Sequence, residues 1–258
     1  MKHALRQTLV ISALSMTLIV NALANILPIN GITTGERSDA YPTLFTPAGY
    51  VFSIWGLIYL GLIAYAIFQA LPAQKENGRL QALAPWFILN ATANTVWVFA
   101  WHYDLIGLSM LLISIVLVSL IFAYRALRTA EAGVTRAETW TTRLPFSIYL
   151  GWLTVATVAN ASVWLYQLGW AGFGISSGIW TVLMIVVASL LGLAFLFFVQ
   201  DFAYTFVLIW AFVGIAVKHW DVQLVAISAV VAAALLVVAC LLRGMAPGTP
   251  VKQMSWQA

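Results

Sequence analysis

The chain has 258 residues, of which 63% are hydrophobic and only 8% are charged, and its formal net charge is +4. Soluble domains contain roughly 45–50% apolar and about 25% charged residues, so this composition excludes a soluble globule. The twelve Lys and Arg residues are scattered at the ends of apolar segments. A nucleic-acid-binding protein would gather them in one patch, so no nucleic-acid partner is expected.

Apolar segments recur along the whole chain, and most of them reach the ~20 residues that a helix needs to cross a bilayer. The sequence therefore predicts an all-α fold, a polytopic membrane helical bundle with about eight transmembrane helices. The seventh segment is short, which leaves open an extension to Trp220 or a re-entrant segment that closes against the sixth. The eight predicted spans are Thr8–Leu27, Pro47–Leu71, Leu83–Trp101, Leu105–Ala123, Leu144–Leu168, Ile175–Val199, Phe202–Val217 and Val222–Leu242.

The basic residues divide unequally between the two ends of these spans. Only Arg37 and Lys218 fall at one end, whereas the other ten fall at the opposite end. Because basic loops stay in the cytoplasm, we expect both termini there, in a multi-pass protein of the cell (inner or plasma) membrane. The ten are Lys2, Arg6, Lys75, Arg79, Arg125, Arg128, Arg136, Arg143, Arg243 and Lys252.

The N-terminus also has features of a secretory signal. Lys2 and Arg6 precede an apolar run, and Ala22-Leu23-Ala24 imitates a cleavage site. The apolar run continues through Ile26 and Leu27, which favours a retained first span.

Polar and aromatic residues recur at helical spacing within four of the spans. Residues three or four apart share one side of a helix, so each of these spans presents a polar-aromatic face. The faces are Asn21 and Asn25 in the first span; Phe52, Trp55 and Tyr59 in the second; Asn90, Asn94, Trp97 and Trp101 in the third; and Tyr149, Trp152, Ala156, Asn160 and Trp164 in the fifth.

Two interpretations of these faces remain open on periodicity alone. Unpaired amides are costly in hydrocarbon, so the faces should turn toward one another or toward a cavity. They could serve helix packing, with Asn side chains bonding between helices. Alternatively, they could line a pocket for a planar, largely apolar ligand.

Two ordered motifs resemble those of the TspO/MBR family, the tryptophan-rich sensory proteins. The segment FTPAGYVFSIWGLIY resembles the family's second helix, and YLGWLTVATVAN resembles its fifth. Tyr50 stands where the family usually has Trp, the first loop is longer, and three further helices follow. The matching positions are Pro47, Tyr50, Val51, Phe52, Trp55 and Tyr59; Tyr149, Trp152, Ala156, Thr157 and Asn160; and, more loosely, Asn94, Trp97 and Trp101, with Asn90 as a competing register.

The resemblance implies a five-helix bundle whose pocket opens toward the loop between the first two helices. Family members bind tetrapyrroles such as protoporphyrin or haem, and some bind sterol-like molecules. By this likeness Trp55, Asn94 and Trp152 would line the pocket. The full set of candidate ligand-binding residues is Phe52, Trp55, Tyr59, Asn90, Asn94, Trp97, Tyr149, Trp152 and Asn160.

The resemblance also suggests a division of the chain. Residues 1–168 would form the TspO/MBR-like ligand-binding bundle, and residues 169–258 would add three transmembrane helices and a short C-terminal tail. The added helices could occlude the pocket or replace a dimer interface. The expected partners are the lipid bilayer, a tetrapyrrole or sterol-like small molecule, and a second copy of the chain in a homodimer.

No catalytic or metal-binding pattern accompanies these motifs. His3, His102 and His219 are far apart and lack ligand partners at suitable spacing. Asp104 and Asp201 are interpreted as solvated turn residues. Arg37, in the Gly- and Thr-rich first loop, could bind a ligand propionate if that loop forms a lid.

The functional prediction is accordingly a membrane-embedded binding protein or sensor for a planar hydrophobic ligand, a porphyrin or haem. The alternative is a small-molecule transporter of the membrane. We assign no enzymatic activity and expect no required cofactor; a porphyrin or haem would be present as the bound ligand.

Overall fold

The computed structural model describes residues 3–129 and 133–246, and within these ranges the chain is helical with no strand, which confirms the predicted all-α fold. Eight long helices follow one another with short connections. They are α1 (His3–Ile26), α2 (Ile54–Ala70), α3 (Gly78–His102), α4 (Ile106–Ala126), α5 (Leu144–Gln167), α6 (Ser177–Ala194), α7 (Phe202–Lys218) and α8 (Gln223–Met245).

Shorter helical turns extend or connect the long helices. A 3-10 turn, Gly49–Ser53, leads directly into α2, and a π-helical turn, Thr139–Arg143, leads into α5. Another π-helical turn, Phe195–Val199, extends α6. The first loop contains a helix of its own, Thr34–Asp39, which we call the loop helix.

Six of the long helices, with their adjoining turns, are long and apolar enough to cross a membrane: α1, α2, α4, α5, α6 and α8. The shorter α7 has 17 residues. The remaining helix, α3, has 25 residues but carries Asn90, Asn94 and Thr95, all buried. Its polar groups face neighbouring helices, which explains how so polar a helix lies inside an apolar bundle.

Helix α5 packs against helices from both the first and the last part of the chain. On one side α3 packs between α1 and α4, and α4 packs against α5. On the other side α7 packs against α5 and α8, and α8 also packs against α6. Buried residues from both halves of the chain join in one core. The division at residue 168 stays a prediction.

The two ends of the bundle carry different ionic contacts. At one end, the basic end, Arg79 pairs with Glu138 at 2.6 Å and Arg128 pairs with Asp201 at 3.1 Å. At the other, the loop end, Lys218 pairs with Asp39. This grouping agrees with the two sets of basic residues in the sequence; which end faces the cytoplasm stays a prediction.

Helix α7 runs from one end of the bundle to the other. Asp201, just before α7, contacts residues at the basic end, and Lys218, its last residue, contacts the first loop. The helix is regular throughout and ends at Lys218. The re-entrant alternative for the seventh segment, and its extension to Trp220, are therefore wrong.

The interpretation of Asp201 as a solvated turn residue is also wrong. Asp201 is only 4% exposed. Its carboxylate accepts hydrogen bonds from Tyr124 Oη (2.6 Å), Ser147 Oγ (2.6 Å) and Arg128. It also accepts from the Tyr204 amide and so caps the N-terminus of α7. Turn position in the sequence does not reveal that α4, α5 and α7 meet there.

Candidate functional site

A small cavity lies between α2, α3, α4 and α5, under the loop helix. Its volume is about 30 Å³, which is space for about one or two waters. It is lined by Thr34, Ser38, Pro47, Phe52, Trp55, Asn94, Trp97, Trp101, Ile113, Val116, Trp152, Leu153, Val155, Ala156, Ala159 and Asn160. We call this space the central cavity.

Five aromatic residues contribute to its wall, and Trp152 contacts two of the others. The Trp152 ring meets Phe52 and Trp55 edge to face, with centroids 5.5 and 6.3 Å apart. On the opposite helix Trp97 and Trp101 stack at 5.8 Å with planes 17° apart. Such rings offer flat apolar faces and edges of complementary charge, a surface suited to another flat ring system.

Several polar atoms in this wall lack hydrogen-bond partners among the described residues. They are the indole Nε1 of Trp97, the indole Nε1 of Trp152 and the Oδ1 of Asn160, and all three are buried. An unpaired buried polar atom costs about 1–3 kcal/mol. The cavity wall therefore holds two N–H donors and one acceptor that no protein group in the described residues satisfies.

The asparagines mostly bond between helices. Asn21 Nδ2 donates to Asn94 Oδ1 at 3.0 Å and joins α1 to α3. Asn160 Nδ2 donates to Ser109 Oγ at 2.6 Å and joins α5 to α4. Amides thus tie helices together, as the packing interpretation expects, and aromatic residues line a cavity; that this cavity takes a planar ligand stays a prediction.

Six of the nine candidate ligand-binding residues line the central cavity: Phe52, Trp55, Asn94, Trp97, Trp152 and Asn160. The other three lie outside its wall. Tyr59 stacks on Trp55 with ring centroids 5.4 Å apart. Tyr149 packs edge to face against the same indole, with centroids 5.7 Å apart. A ligand role for the nine stays a prediction.

Asn90, the third residue outside the wall, turns toward α4. Its Nδ2 donates to the Val116 carbonyl at 2.8 Å. Four residues advance a helix by slightly more than one turn, so a stripe with this spacing drifts around the axis. The competing register that Asn90 offered therefore corresponds to a helix contact and not to the cavity.

Sequence reasoning missed the part of the wall that comes from the first loop, namely Thr34, Ser38 and Pro47. A signal for the loop helix was present. Thr33 and Glu36 form a capping box, in which the Glu36 amide donates to Thr33 Oγ1 (3.2 Å) and the Thr33 amide donates to Glu36 Oε2 (2.8 Å). The hydrogen bonds from Thr33 also lower the pKa of Glu36.

The loop helix closes the cavity and is held against the end of α3. Trp101 Nε1 donates to the Thr34 carbonyl at 3.3 Å. Arg37 donates to the His102 carbonyl at 3.0 Å and pairs with Asp104 at 3.4 Å. The first loop thus covers the cavity, and Arg37 contacts protein groups; movement of this loop as a lid stays a prediction.

Tyr41, which follows the loop helix, donates from its hydroxyl to the same Asp104 carboxylate. Burial, with this hydrogen bond, raises the pKa of Tyr41 to about 12. The phenol therefore remains a hydrogen-bond donor at any physiological pH and helps to hold the loop against the turn between α3 and α4.

Residues of α7 contact the C-terminal part of the first loop. Lys218 pairs with Asp39, the last residue of the loop helix. The Ala48 amide donates to the Gly214 carbonyl at 3.1 Å, and Trp210 Nε1 donates to the Val51 carbonyl at 3.2 Å. The added helices thus contact the segment that connects the loop helix to α2.

His219 adds a further contact between these elements. Its Nε2 lies 3.1 Å from the Thr46 carbonyl, so this nitrogen carries the proton and donates. Burial, the largest cause, lowers the pKa of His219, and neighbouring Lys218 lowers it further. The imidazole is therefore held neutral between α7 and the loop.

Comparison with known proteins places the chain in a family. Neither the curated proteins nor the solved structures contain a match to it. A family model described as TSPO-like protein matches residues 7–242, a range that includes most of α1, most of α8 and all the long helices between them. The match covers most of the chain and agrees with the motifs of the second and fifth helices. The chain belongs to the family of TSPO-like proteins.

Proposed function

We propose that this protein binds a planar hydrophobic ligand, a tetrapyrrole such as a porphyrin or haem, in the central cavity and acts as a membrane-embedded binding protein or sensor. Membership of the TSPO-like family supports a function in membrane ligand binding or transport. The identification of the ligand as a tetrapyrrole is a more specific inference, and it is argued from the chemistry of the cavity wall.

The observation that carries the proposal is the set of unpaired polar atoms between aromatic rings. Trp97 and Trp152 each present an indole N–H without an acceptor, and Asn160 presents an oxygen without a donor. A porphyrin has flat π faces, pyrrole nitrogens and peripheral carboxylates. Such a ring system offers stacking surface to the indoles and both acceptors and donors to these atoms.

The cavity must open before a ligand of this size can enter. Its volume of about 30 Å³ is far below the roughly 300–1,000 Å³ typical of small-molecule sites. The loop helix is the segment that we expect to move. It has only six residues, and its contacts with Trp101 and Lys218 are made by side chains, which can change rotamer without unfolding a long helix. The structure is therefore the closed state in this proposal, and ligand entry displaces the loop helix.

Arg37 is a charged residue of the loop helix, and its side chain is 16% exposed. Its pairing with Asp104, at 3.4 Å, is long for a charge-assisted hydrogen bond. A ligand propionate at the opened entrance would compete with Asp104 for the guanidinium. Loss of the Asp104 pair would weaken the attachment of the loop helix to the end of α3, where Arg37 also donates to the His102 carbonyl.

The proposal is tested by titrating protoporphyrin into the purified full-length protein in detergent and following tryptophan quenching. Trp152→Ala and Trp97→Ala should each weaken saturable binding by at least tenfold, because each removes a ring and a free N–H from the wall. The matched control is Trp86→Ala, which removes a half-buried indole stacked on Phe122 outside the cavity.

Saturable binding that is weakened by the two cavity variants and unchanged by the control would support the site. Binding that is indifferent to both cavity variants would refute it. The same protein in sealed vesicles distinguishes the runner-up function: a sensor holds the ligand without moving it, whereas a transporter produces accumulation that the cavity variants abolish.

A further inference from the structure

A buried arginine lies at the basic end of the bundle, where the start of α1 meets the end of α2. Arg6 is only 1% exposed, although arginine is almost never fully buried without a partner of opposite charge. It does not belong to the lining of the central cavity. The function proposed above therefore leaves this residue without a role.

One nitrogen of the guanidinium has a structural role. Nη2 of Arg6 donates to the Gln69 carbonyl at 3.3 Å and to the Gln74 carbonyl at 3.1 Å. The neighbouring Gln7 donates from Nε2 to the Ala70 carbonyl at 2.6 Å. Carbonyls in the last turn of a helix have no partner within that helix, so these side chains cap the C-terminus of α2. The capping uses only one of the three guanidinium nitrogens.

The other two nitrogens of Arg6 have no protein partner among the described residues. Nε and Nη1 are both buried, and neither makes a hydrogen bond. The hydroxyl of Tyr65 is buried and unpaired in the same way. Tyr65 lies one helical turn before Gln69 on α2 and is close enough to Arg6 for the two groups to interact electrostatically. The junction of α1 and α2 thus holds three buried donor groups without an acceptor.

The charge of Arg6 is also uncompensated. Within the described ranges no carboxylate forms a salt bridge with it, whereas Arg79, at the same end of the bundle, pairs with Glu138 at 2.6 Å. Glu76, exposed in the turn after α2, acts on Arg6 only from beyond salt-bridge distance. The two capped carbonyls bring partial negative charge only. A buried full charge without a counter-charge is strongly unfavourable, so this site requires an anion.

A bound water would account for the hydrogen bonds but not for the charge. Oε1 of Gln69 is buried without a donor, and a water could serve it and the Tyr65 hydroxyl together. Such a water is neutral and leaves the guanidinium of Arg6 uncompensated. An anion supplies both the acceptor for the donors and the missing charge. Because Gln69 Oε1 repels an anion, a water would separate that oxygen from the ion.

We propose that Arg6 and Tyr65 form a binding site for one compact monovalent anion of the class of chloride. The anion would accept from Nε and Nη1 of Arg6 and from the Tyr65 hydroxyl, and so would join α1 to α2. Because Arg6 is only 1% exposed and Tyr65 is fully buried, a bulky lipid head group could not reach these donors without displacing protein. This inference does not depend on ligand binding in the central cavity.

The test measures the Tm of the full-length protein in detergent against chloride concentration, with gluconate replacing chloride at constant ionic strength. Chloride should raise the Tm of the parent along a saturating curve, by about 3–6 °C at ten times its Kd. Arg6→Gln should abolish this dependence. The matched control, Arg125→Gln, removes an exposed arginine at the same end of the bundle and should leave the dependence unchanged.

A second variant, Tyr65→Phe, covers the case in which Arg6→Gln does not fold. It keeps the ring that packs edge to face on Phe87 and Phe146 and removes only the hydroxyl. In gluconate it should be at least as stable as the parent, because it deletes an unpaired buried group. Chloride should bind to it at least about tenfold more weakly, since a hydrogen bond to a charged group is lost. At a chloride concentration that saturates the parent, its Tm should therefore fall below that of the parent.

Three results would overturn the proposal. The parent could show no saturable response to chloride beyond gluconate, or Arg6→Gln could retain the response. Tyr65→Phe could lower the Tm equally in both salts, which would mean that a water or a protein group satisfies the hydroxyl without an anion. A final arm compares nanodiscs with and without phosphatidylglycerol in gluconate. Stabilisation by this lipid that Arg6→Gln abolishes would assign the site to a lipid phosphate and overturn the assignment to a free anion.

Discussion

Replacing Gly214 by alanine should loosen the joint between α7 and the segment that leads into α2. A Cβ at this position would lie 2.1 Å from Val51 Cγ2 and 3.2 Å from Pro47 Cβ. Carbon atoms prefer roughly 3.5–4.0 Å, so the new methyl group is too close to Val51 by about 1.4 Å. Val51 is fully buried and β-branched, so it has little freedom to rotate away.

The expected loss follows from two opposing terms. Overpacking of this severity costs about 3 kcal/mol, while alanine is better than glycine in a helix by about 1 kcal/mol. The net loss is about 2 kcal/mol, which lowers the Tm of a chain of this size by roughly 4–8 °C. Because Pro47 lines the central cavity, the displaced segment should also speed ligand entry.

Thermal unfolding in detergent, followed by intrinsic fluorescence, measures the loss. Gly56→Ala is the matched control, since nothing lies within 4 Å of its Cβ, and it should leave the Tm unchanged or raise it. Adding Val51→Ala to Gly214→Ala removes the close contact, so the double variant should be more stable than the sum of the single losses predicts. A Gly214→Ala protein as stable as the parent, with no coupling to Val51, would refute the close packing of α7 on this segment.

Three further predictions concern the contacts around α7 and the lid. Asp201→Ala leaves buried hydrogen-bond donors without their acceptor and should lower the free energy of unfolding by about 3–5 kcal/mol, measured by chemical denaturation; a loss below 1 kcal/mol would contradict its buried role. The pKa of His219 is lowered in the folded state, so the unfolded state binds more protons below about pH 6.5. The contribution of His219 to the free energy of unfolding should therefore be complete above that pH and decrease as the pH drops toward the folded pKa. His219→Gln should flatten this part of the Tm-against-pH curve, and an unchanged slope would show that His219 does not carry it. Thr33→Ala removes the cap of the loop helix and should accelerate protoporphyrin association in stopped-flow quenching several-fold with little change in Tm; an unchanged association rate would mean that the loop helix does not control entry.

The last three helices contribute contacts next to the central cavity. Lys218 contacts the loop helix and Trp210 contacts the turn that leads into α2, although they come about 160 to 180 residues later in the chain. Opening of the central cavity is therefore linked to α7 in the proposed mechanism. Substitutions at the lid contacts of α7 should alter ligand entry even though they lie outside the cavity lining.

Most of the fold could be predicted from local features of the sequence. Long apolar runs require helices in a bilayer because every backbone group must be satisfied within its own segment, and the predicted spans agree with all eight long helices. The spacing of Trp97 from Asn94, and of Asn160 from Trp152, placed these residues on shared helix faces. Six of the nine candidate residues line one cavity as a result.

The same periodicity could not decide what each face meets. Asn90 and Asn94 are four residues apart, yet Asn90 bonds to α4 while Asn94 lines the cavity and bonds to α1. Only the rotation and packing of α3 against its two neighbours separate these outcomes.

The sequence by itself determined that this protein is a helical membrane bundle with tryptophan-rich inner faces, because hydrophobicity and helical spacing are local properties of the chain. Tertiary structure alone decided that Asp201 is buried, that the loop helix closes the central cavity, and that α7 fastens the loop. These features depend on contacts between residues far apart in sequence, and no local pattern specifies which distant helix will supply the partner. The contacts of the loop helix with α3 and α7 arise from that long-range packing.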